Sequence, residues 1–287
     1  MAKDAFRFSG DDAINYEKYL GPLLFEPSAV ELLNYLGAPD LQSVLEIAGG
    51  TGRLTSHLRS YFPATAQLVA SDVSPDMLEV ARERLGGFSI DFRVADAQAL
   101  PFPDASFDLV VCQYGLMFLP DKAKGCAEIF RVLRPGGRFV FSTWDKTQNM
   151  PLLRLVFDEL VIPFFEGEDT TRFRVPFSMY DPAVLAGLLE GAGFTGNRVF
   201  PIAFKSGAAS PEDMVNGFFL KHPLGRAVAE KDPEAVQGIA AEMLERIRAR
   251  FGEGAALAEG GLAGGGLAGG DIVVDLRAWI GIGQKAS

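Results

Sequence analysis

Between residues 41 and 144, short apolar runs alternate with stretches whose apolar residues recur at helical spacing. The runs 44–47, 67–71, 90–94, 107–112 and 138–144 predict strands. The fourth is continuously apolar, as in a sheet covered on both faces. Between them, Leu54, Leu58, Tyr61 and Phe62 share one helical face, which Pro63 ends. Ser74-Pro75 caps a second helix through Leu85, and a third spans 121–133, closed by Arg134-Pro135-Gly136-Gly137. Strand–helix alternation with short connections implies a doubly wound α/β sheet with right-handed crossovers.

Outside this block the pattern loosens. Upstream, a short helix over 12–19 runs into Gly21-Pro22, and another covers 28–36. Downstream, helices are predicted over 152–162, 181–191 and 210–220, and Ile239, Met243, Leu244, Ile247 and Phe251 form a helical stripe. Strands are expected at 198–205 and 272–282, the second returning to the sheet. The Gly/Ala/Leu-rich stretch 259–270 reads as a flexible loop. The expected fold is a Rossmann-like, seven-stranded, mostly parallel sheet. Residues 1–40 form an N-terminal helical flap, 41–206 with 271–287 the core, and 207–270 an inserted helical lid.

Composition narrows the function. Apolar residues make up 48% of 287, enough for a substantial core, and the net charge of −10 argues against a nucleic-acid partner. Cys112 and Cys126 form no metal or disulfide pattern. No signal region or membrane span is apparent, so a cytoplasmic location is expected. Ten of the 23 phenylalanines lie between Pro151 and Leu220. They are either a packed satellite core or an apolar pocket for an aromatic substrate.

The chemistry centres on residues 44–55, a strand that ends in Ala48-Gly49-Gly50-Thr51-Gly52 and opens a helix. Such a turn lets a ligand approach the backbone and aims amides at it. Asp72 follows Gly52 by 20 residues, at the end of the second strand. A carboxylate there accepts from ribose hydroxyls. Asp96 and Gln113 fall at the ends of the next two strands. A dinucleotide oxidoreductase needs G-x-G-x-x-G, and its third glycine is Thr55 here.

These segments resemble the class I S-adenosylmethionine-dependent methyltransferases. The likeness rests on Leu45 to Gly52, Ser71 to Leu78, Asp96 to Phe102, Ser106 to Val110 and Arg131 to Gly137. The nearest flavour is the small-molecule branch that includes the ubiquinone/menaquinone C-methyltransferases. The resemblance implies S-adenosyl-L-methionine as cofactor and S-adenosyl-L-homocysteine as product. It places the methionine moiety on Ala48, Gly49, Gly50 and Gly52, with Glu46 orienting the turn. Asp72 would hold the ribose, Val73 and Met77 would flank the adenine, Asp96 and Ala97 would meet its edge, and Gln113 would line the methionine end. Tyr16 and Tyr19 belong either to a packed flap or to a lid touching the ligand.

Ala48 replaces the family's first turn glycine, so its φ is expected to be negative. An activated methyl donor needs mostly positioning, so no triad is required. Tyr114 and His222 are the candidate bases, while His57 reads as a surface or packing residue and no metal is expected. The chain lacks the Asn/Asp-Pro-Pro-Tyr-type motif of amino-methylating nucleic-acid enzymes, having Cys112-Gln113-Tyr114-Gly115 instead. A small, apolar or aromatic acceptor is expected. A non-methylating protein using the same cofactor and a partner-binding protein stand as alternatives, and oligomeric state is not readable.

Overall fold

The computed structural model describes residues 10–207, 210–252 and 272–287. Seven strands form one sheet: β1 Ser43–Ile47, β2 Gln67–Asp72, β3 Asp91–Val94, β4 Phe107–Gln113, β5 Leu133–Trp144, β6 Thr195–Ser206 and β7 Val274–Gln284. The order is β3-β2-β1-β4-β5-β7-β6. The first five pair in parallel, and β7 lies antiparallel between β5 and β6. The β6–β7 ladder closes with Ser206 opposite Val274, so the helices between these strands hang from two adjacent stems.

The strands in the middle of the sheet are buried on both faces, which is why they read as continuous apolar runs. One face packs Val44, Leu109, Val111 and Val140 against Leu32, Leu54 and Leu58. The opposite face packs Leu45, Val110, Phe139 and Phe141 with Ile129, Leu189, Phe218, Met243 and Ile247. The inserted helices are thus part of the main core. Phe157 and Phe177, 4.9 Å apart edge to face, and the buried Phe218 and Phe219 fill that core rather than line an open pocket.

Two expectations change. Gly21-Pro22 does not end the first helix. Asp11–Asn15 continues as a π-helix over Tyr16–Phe25 and then as Glu26–Leu33. Pro22 has no N–H to donate, and the Glu26 N–H reaches back five residues to the Gly21 carbonyl. Arg134-Pro135-Gly136-Gly137 is not a loop before the fifth strand but an irregularity inside it. The register jumps from Phe107 opposite Leu133 to Leu109 opposite Arg138, with Gly136 at φ 78°. The helix before it is Lys122–Val132, capped by the Asp121 carboxylate. The 259–270 loop lies outside the described residues.

Candidate cofactor site

Register brings the site together. Ile47 stands opposite Ser71 on one side and Cys112 on the other. The segments that follow, Ala48–Gly52, Asp72 and Gln113, therefore leave the sheet side by side. The glycine turn is fixed by Gly49 N–H donating to the Ser71 carbonyl (2.9 Å) and Gly52 N–H to the Gly49 carbonyl (3.0 Å). Gly52 caps Arg53–Tyr61 in the left-handed region, φ 81°. A Cβ there would sit 2.8 Å from Leu85 Cδ1, so the turn packs directly on the helix Pro75–Leu85.

Ala48 does not have the expected negative φ. It lies at +53°, in the region that favours glycine. Tyr114, after β4, lies at +52°. The two turns touch: a Cβ at Gly115 would lie 2.4 Å from Ala48 Cβ and 2.7 Å from Cys112 Sγ. Gly115 is thus needed for close approach, and the strain at Ala48 is held by that contact and by the ladder behind it.

Two carboxylates stand under the turn. Glu46 is 1% exposed and accepts from Thr55 Oγ1 at 2.5 Å. Burial, reinforced by the Asp72 charge and opposed by the Thr55 bond, pushes its pKa up to about 8. Asp72 Oδ2 accepts from Gly50 N–H (2.9 Å) and Oδ1 from Ser74 N–H (2.8 Å). Burial raises its pKa, opposed by these backbone donors. Asp72 therefore ties the turn to the start of the next helix, and its oxygens keep lone pairs for a further donor.

Further out, Asp96 is exposed, and its carboxylate accepts local bonds from Gln98. Ala97 is half-buried beside it. Val73 is 69% exposed at the rim, while Met77 is buried with its Cε 3.8 Å from where a Gly50 Cβ would be. Glycine amides, a buried acid, an apolar rim and an exposed acid fit an adenosine carrying an amino-acid tail. Gln113 is turned toward the N-terminal helix, donating to Ser28 Oγ (2.6 Å) and the Phe25 carbonyl (3.3 Å).

The candidate bases have other jobs. Tyr114 stacks on Trp144 with centroids 3.7 Å apart, and its hydroxyl accepts from Ser28 Oγ at 2.8 Å. Burial raises its pKa further above its usual value. His222 Nδ1 accepts from Leu224 N–H and caps Pro223–Lys231. Burial, and next the Arg226 charge, lowers its pKa to about 3. Its ring is a helix cap held neutral. His57 Nε2 lies 2.8 Å from Glu26 Oε1, joining the N-terminal helix to Arg53–Tyr61.

Tyr16 stacks on Phe25 (4.7 Å) and is half-buried near Asp72; desolvation, then that charge, raises its pKa. Tyr19 instead packs beside Gly217 of the insertion. The sequence reading missed Glu17, Thr51, Arg53 and Arg84. Glu17 meets Thr51 Oγ1 (2.6 Å), Arg53 (2.6 Å) and Arg84 (2.9 Å). These partners are 34 to 67 positions away, beyond any local pattern. One signal existed: Arg53 opens a helix, where a cation opposes the dipole.

A strand-ending glycine turn, two acids and a parallel sheet with one reversed strand form a nucleoside-type cofactor site of the kind methyltransferases use. Comparison with known proteins agrees. A family model described as a methyltransferase domain matches residues 45–141. The chain is 36% identical over 171 residues to the ubiquinone/menaquinone biosynthesis C-methyltransferase UbiE of Teredinibacter turnerae, covering 55% of this chain and 68% of that protein. It is 42% identical over 120 residues to the same-named protein of Hahella chejuensis, covering 40% and 48%. It thus spans between about half and two thirds of these relatives. The chain belongs to this S-adenosylmethionine-dependent methyltransferase family, and its cofactor is S-adenosyl-L-methionine. Solved structures share the fold. The YcgJ protein of Bacillus subtilis has a TM-score of 0.55 at 20% identity, covering 91% of this chain and 98% of that one. The Haemonchus contortus phosphoethanolamine N-methyltransferase 2, solved with S-adenosyl-L-methionine, has a TM-score of 0.57 at 18% identity, covering 97% and 58%.

Proposed function

We propose that the chain methylates a small apolar or aromatic molecule. What supports this is an aromatic cluster beside the glycine turn: Tyr114 on Trp144, both buried, with the half-buried Phe25 edge-on to both at 6.0 and 6.3 Å. Phe25, the part-exposed ring of the cluster, is the one a flat, weakly polar acceptor would meet. The matched relatives, named for ubiquinone and menaquinone synthesis, point to the same substrate class. No helix among the described residues is long and apolar enough to cross a membrane.

In this reading, the amides and carbonyls of residues 48–52 hold the methionine part of the cofactor, with Glu46 beneath it. Asp72 accepts from the ribose, Val73 and Met77 flank the adenine, and Asp96 with the Ala97 amide meets its edge. Tyr16 flanks the ribose side, and Gln113 lines the methionine end while its amide holds the N-terminal helix through Ser28 and Phe25. The bound sulfonium supplies an already activated methyl group. The protein's part is orientation and exclusion of water. In this reading the acceptor's nucleophile needs no base from Tyr114 or His222, whose polar atoms are engaged with Ser28 and with the cap of Pro223–Lys231.

The test is to incubate the chain with S-adenosyl-L-methionine and a panel of phenols, hydroquinones, amines and carboxylates, and to measure S-adenosyl-L-homocysteine release. Turnover confined to ring acceptors supports the reading. Turnover only with charged amines or acids, or none across the panel despite cofactor binding, would sink it.

A further inference from the structure

The N-terminal helix lies on the cofactor turn and is held there by charge. Glu17 is the centre of the contact. One carboxylate oxygen accepts from Thr51 Oγ1 at 2.6 Å, and the other sits 2.6 Å from Arg53 Nη2 and 2.9 Å from Arg84 Nε. Arg84 also donates to the Thr51 carbonyl (2.5 Å), so it grips the helix and the turn at once. Arg53 Nη2 reaches the Glu17 carbonyl, and Arg53 Nη1 meets Glu26 at 3.1 Å one π-helical length further on. The Glu17 side chain is 14% exposed, so its charge is largely withdrawn from water and its bonds are worth more than surface pairs. Gly21 allows the approach: a Cβ there would lie 2.8 Å from Arg53 Nε.

The same helix is tied at other points. Gly10 N–H donates to Asp76 Oδ2 (2.9 Å), at the start of Pro75–Leu85. Arg226 of the insertion pairs with Asp12 at 2.5 Å, and Gly217 lets the insertion's π-helix Asn216–Leu220 press against Tyr19 and Leu20. Between Glu17 and Glu26 the chain is π-helical, a winding common at functional sites. Tyr16, next to Glu17, lies near Asp72. The turn stays open beside the helix, with Ala48 exposed and Gly49, Gly50 and Asp72 half-buried, so a nucleoside held by Asp72 and the turn would lie against this helix.

We propose that the helix 11–25 is a strap fastened over the cofactor turn by a clasp of Thr51, Arg53 and Arg84 on the Glu17 carboxylate, and that opening the clasp limits cofactor exchange. The proposal rests on the methyltransferase reading. Glu17 is a positioning residue in it: it touches the turn, and Tyr16 is brought to the ligand by it. The insertion is packed on the same strap through Gly217 and Arg226, so displacing the insertion also loads the strap.

The test uses the full chain and the variants Glu17→Gln and Arg84→Lys, the second keeping the charge and losing the fork that joins helix to turn. Amide hydrogen exchange of residues 16–25, measured without cofactor, reads the clasp directly. Both variants are expected to lose about tenfold in protection there while the β1 and β4 amides stay protected, a factor equivalent to one interaction of about 1.4 kcal/mol. S-adenosyl-L-homocysteine should leave both variants about tenfold faster. Added salt should speed release from the unmodified chain more than from Glu17→Gln. Unchanged protection in both variants overturns the clasp. Lost protection with unchanged release overturns its control of exchange. No homocysteine-product binding by the unmodified chain would sink the methyltransferase reading, while the exchange data would still decide whether the clasp holds the helix. If Glu17→Gln does not fold, Arg84→Lys carries the same comparison.

Discussion

Replacing Glu46 with glutamine should change how stability depends on pH. The carboxyl is 1% exposed, bonded to Thr55, and pushed from 4.5 to about 8 by burial and by the neighbouring Asp72 charge. In the unfolded chain it ionises near 4.5; in the folded chain it keeps its proton to about 8. Between those values the unfolded state binds fewer protons, so stability falls as pH rises, by about 1.4 kcal/mol per unit at most. Below 4.5 both states are protonated and nothing is lost; above 8 the loss levels off, on the order of 3–5 kcal/mol. Glutamine has the same shape, still accepts from Thr55, and does not ionise. Urea unfolding of both proteins at pH 5, 6, 7 and 8 gives the comparison. At pH 5 they should agree within about 1 kcal/mol. At pH 8 the variant should be the more stable by on the order of 3 kcal/mol. Asp72, whose pKa is also raised, slopes both curves the same way and largely cancels in the difference. Parallel curves from pH 5 to 8 would refute the claim that Glu46 is held protonated in the fold.

Other expectations follow from single contacts. Asp72→Ala removes the acceptor of the Gly50 and Ser74 amides and should cost about 1–3 kcal/mol as well as at least about tenfold in cofactor affinity by titration calorimetry; unchanged affinity would mean another acid holds the ribose. Ala48→Gly relieves a left-handed alanine, worth about 1–2 kcal/mol, against about 0.4–1 kcal/mol of added unfolded-state entropy, so a net gain near 0.5–1 kcal/mol is expected in denaturant melts. Gly115→Ala should be strongly destabilising alone and less so on the Ala48→Gly background, since one of its two clashes is then gone; simple additivity would contradict the contact. His222→Asn keeps a capping side chain and should leave turnover within about twofold. A loss of orders of magnitude in kcat with the fold intact would make His222 a base after all.

The parallel half of the sheet was legible because its central strands are buried on both faces and two of its helices open on capping side chains. Ser74, Asp121, Asp181 and Ser210 all accept from the first turn of their helices. These are local signals. What the pattern misread were places where a local rule met a tertiary contact. Gly21-Pro22 looks like a stop, yet the helix passes through it because Arg53 packs on Gly21 and the winding loosens around the proline. Arg134-Pro135-Gly136-Gly137 looks like a loop, yet Gly136 N–H pairs with the Lys285 carbonyl and the segment joins the ladder. Ala48 looks incompatible with a positive φ, yet the strands on either side impose one. The turn, Asp72, Asp96 and Gln113 could be placed at the strand ends by counting alone. The Glu17 clasp could not, because its members meet only after the sheet and the first helix have assembled.

The pairing of Ser206 with Val274 means that the ends of the helical insertion meet as the two sides of a hairpin. The loop's length can change with little entropic consequence, since closure cost grows only with the logarithm of the number of residues. The register of β6 and β7 does not depend on what the loop contains. A different set of helices could therefore be spliced between the same two positions, provided that it covers Phe139 and Phe141 and offers a small residue to Tyr19. The insertion can therefore diversify by exchange of one segment while the cofactor turn, on the far side of β4, is left as it is.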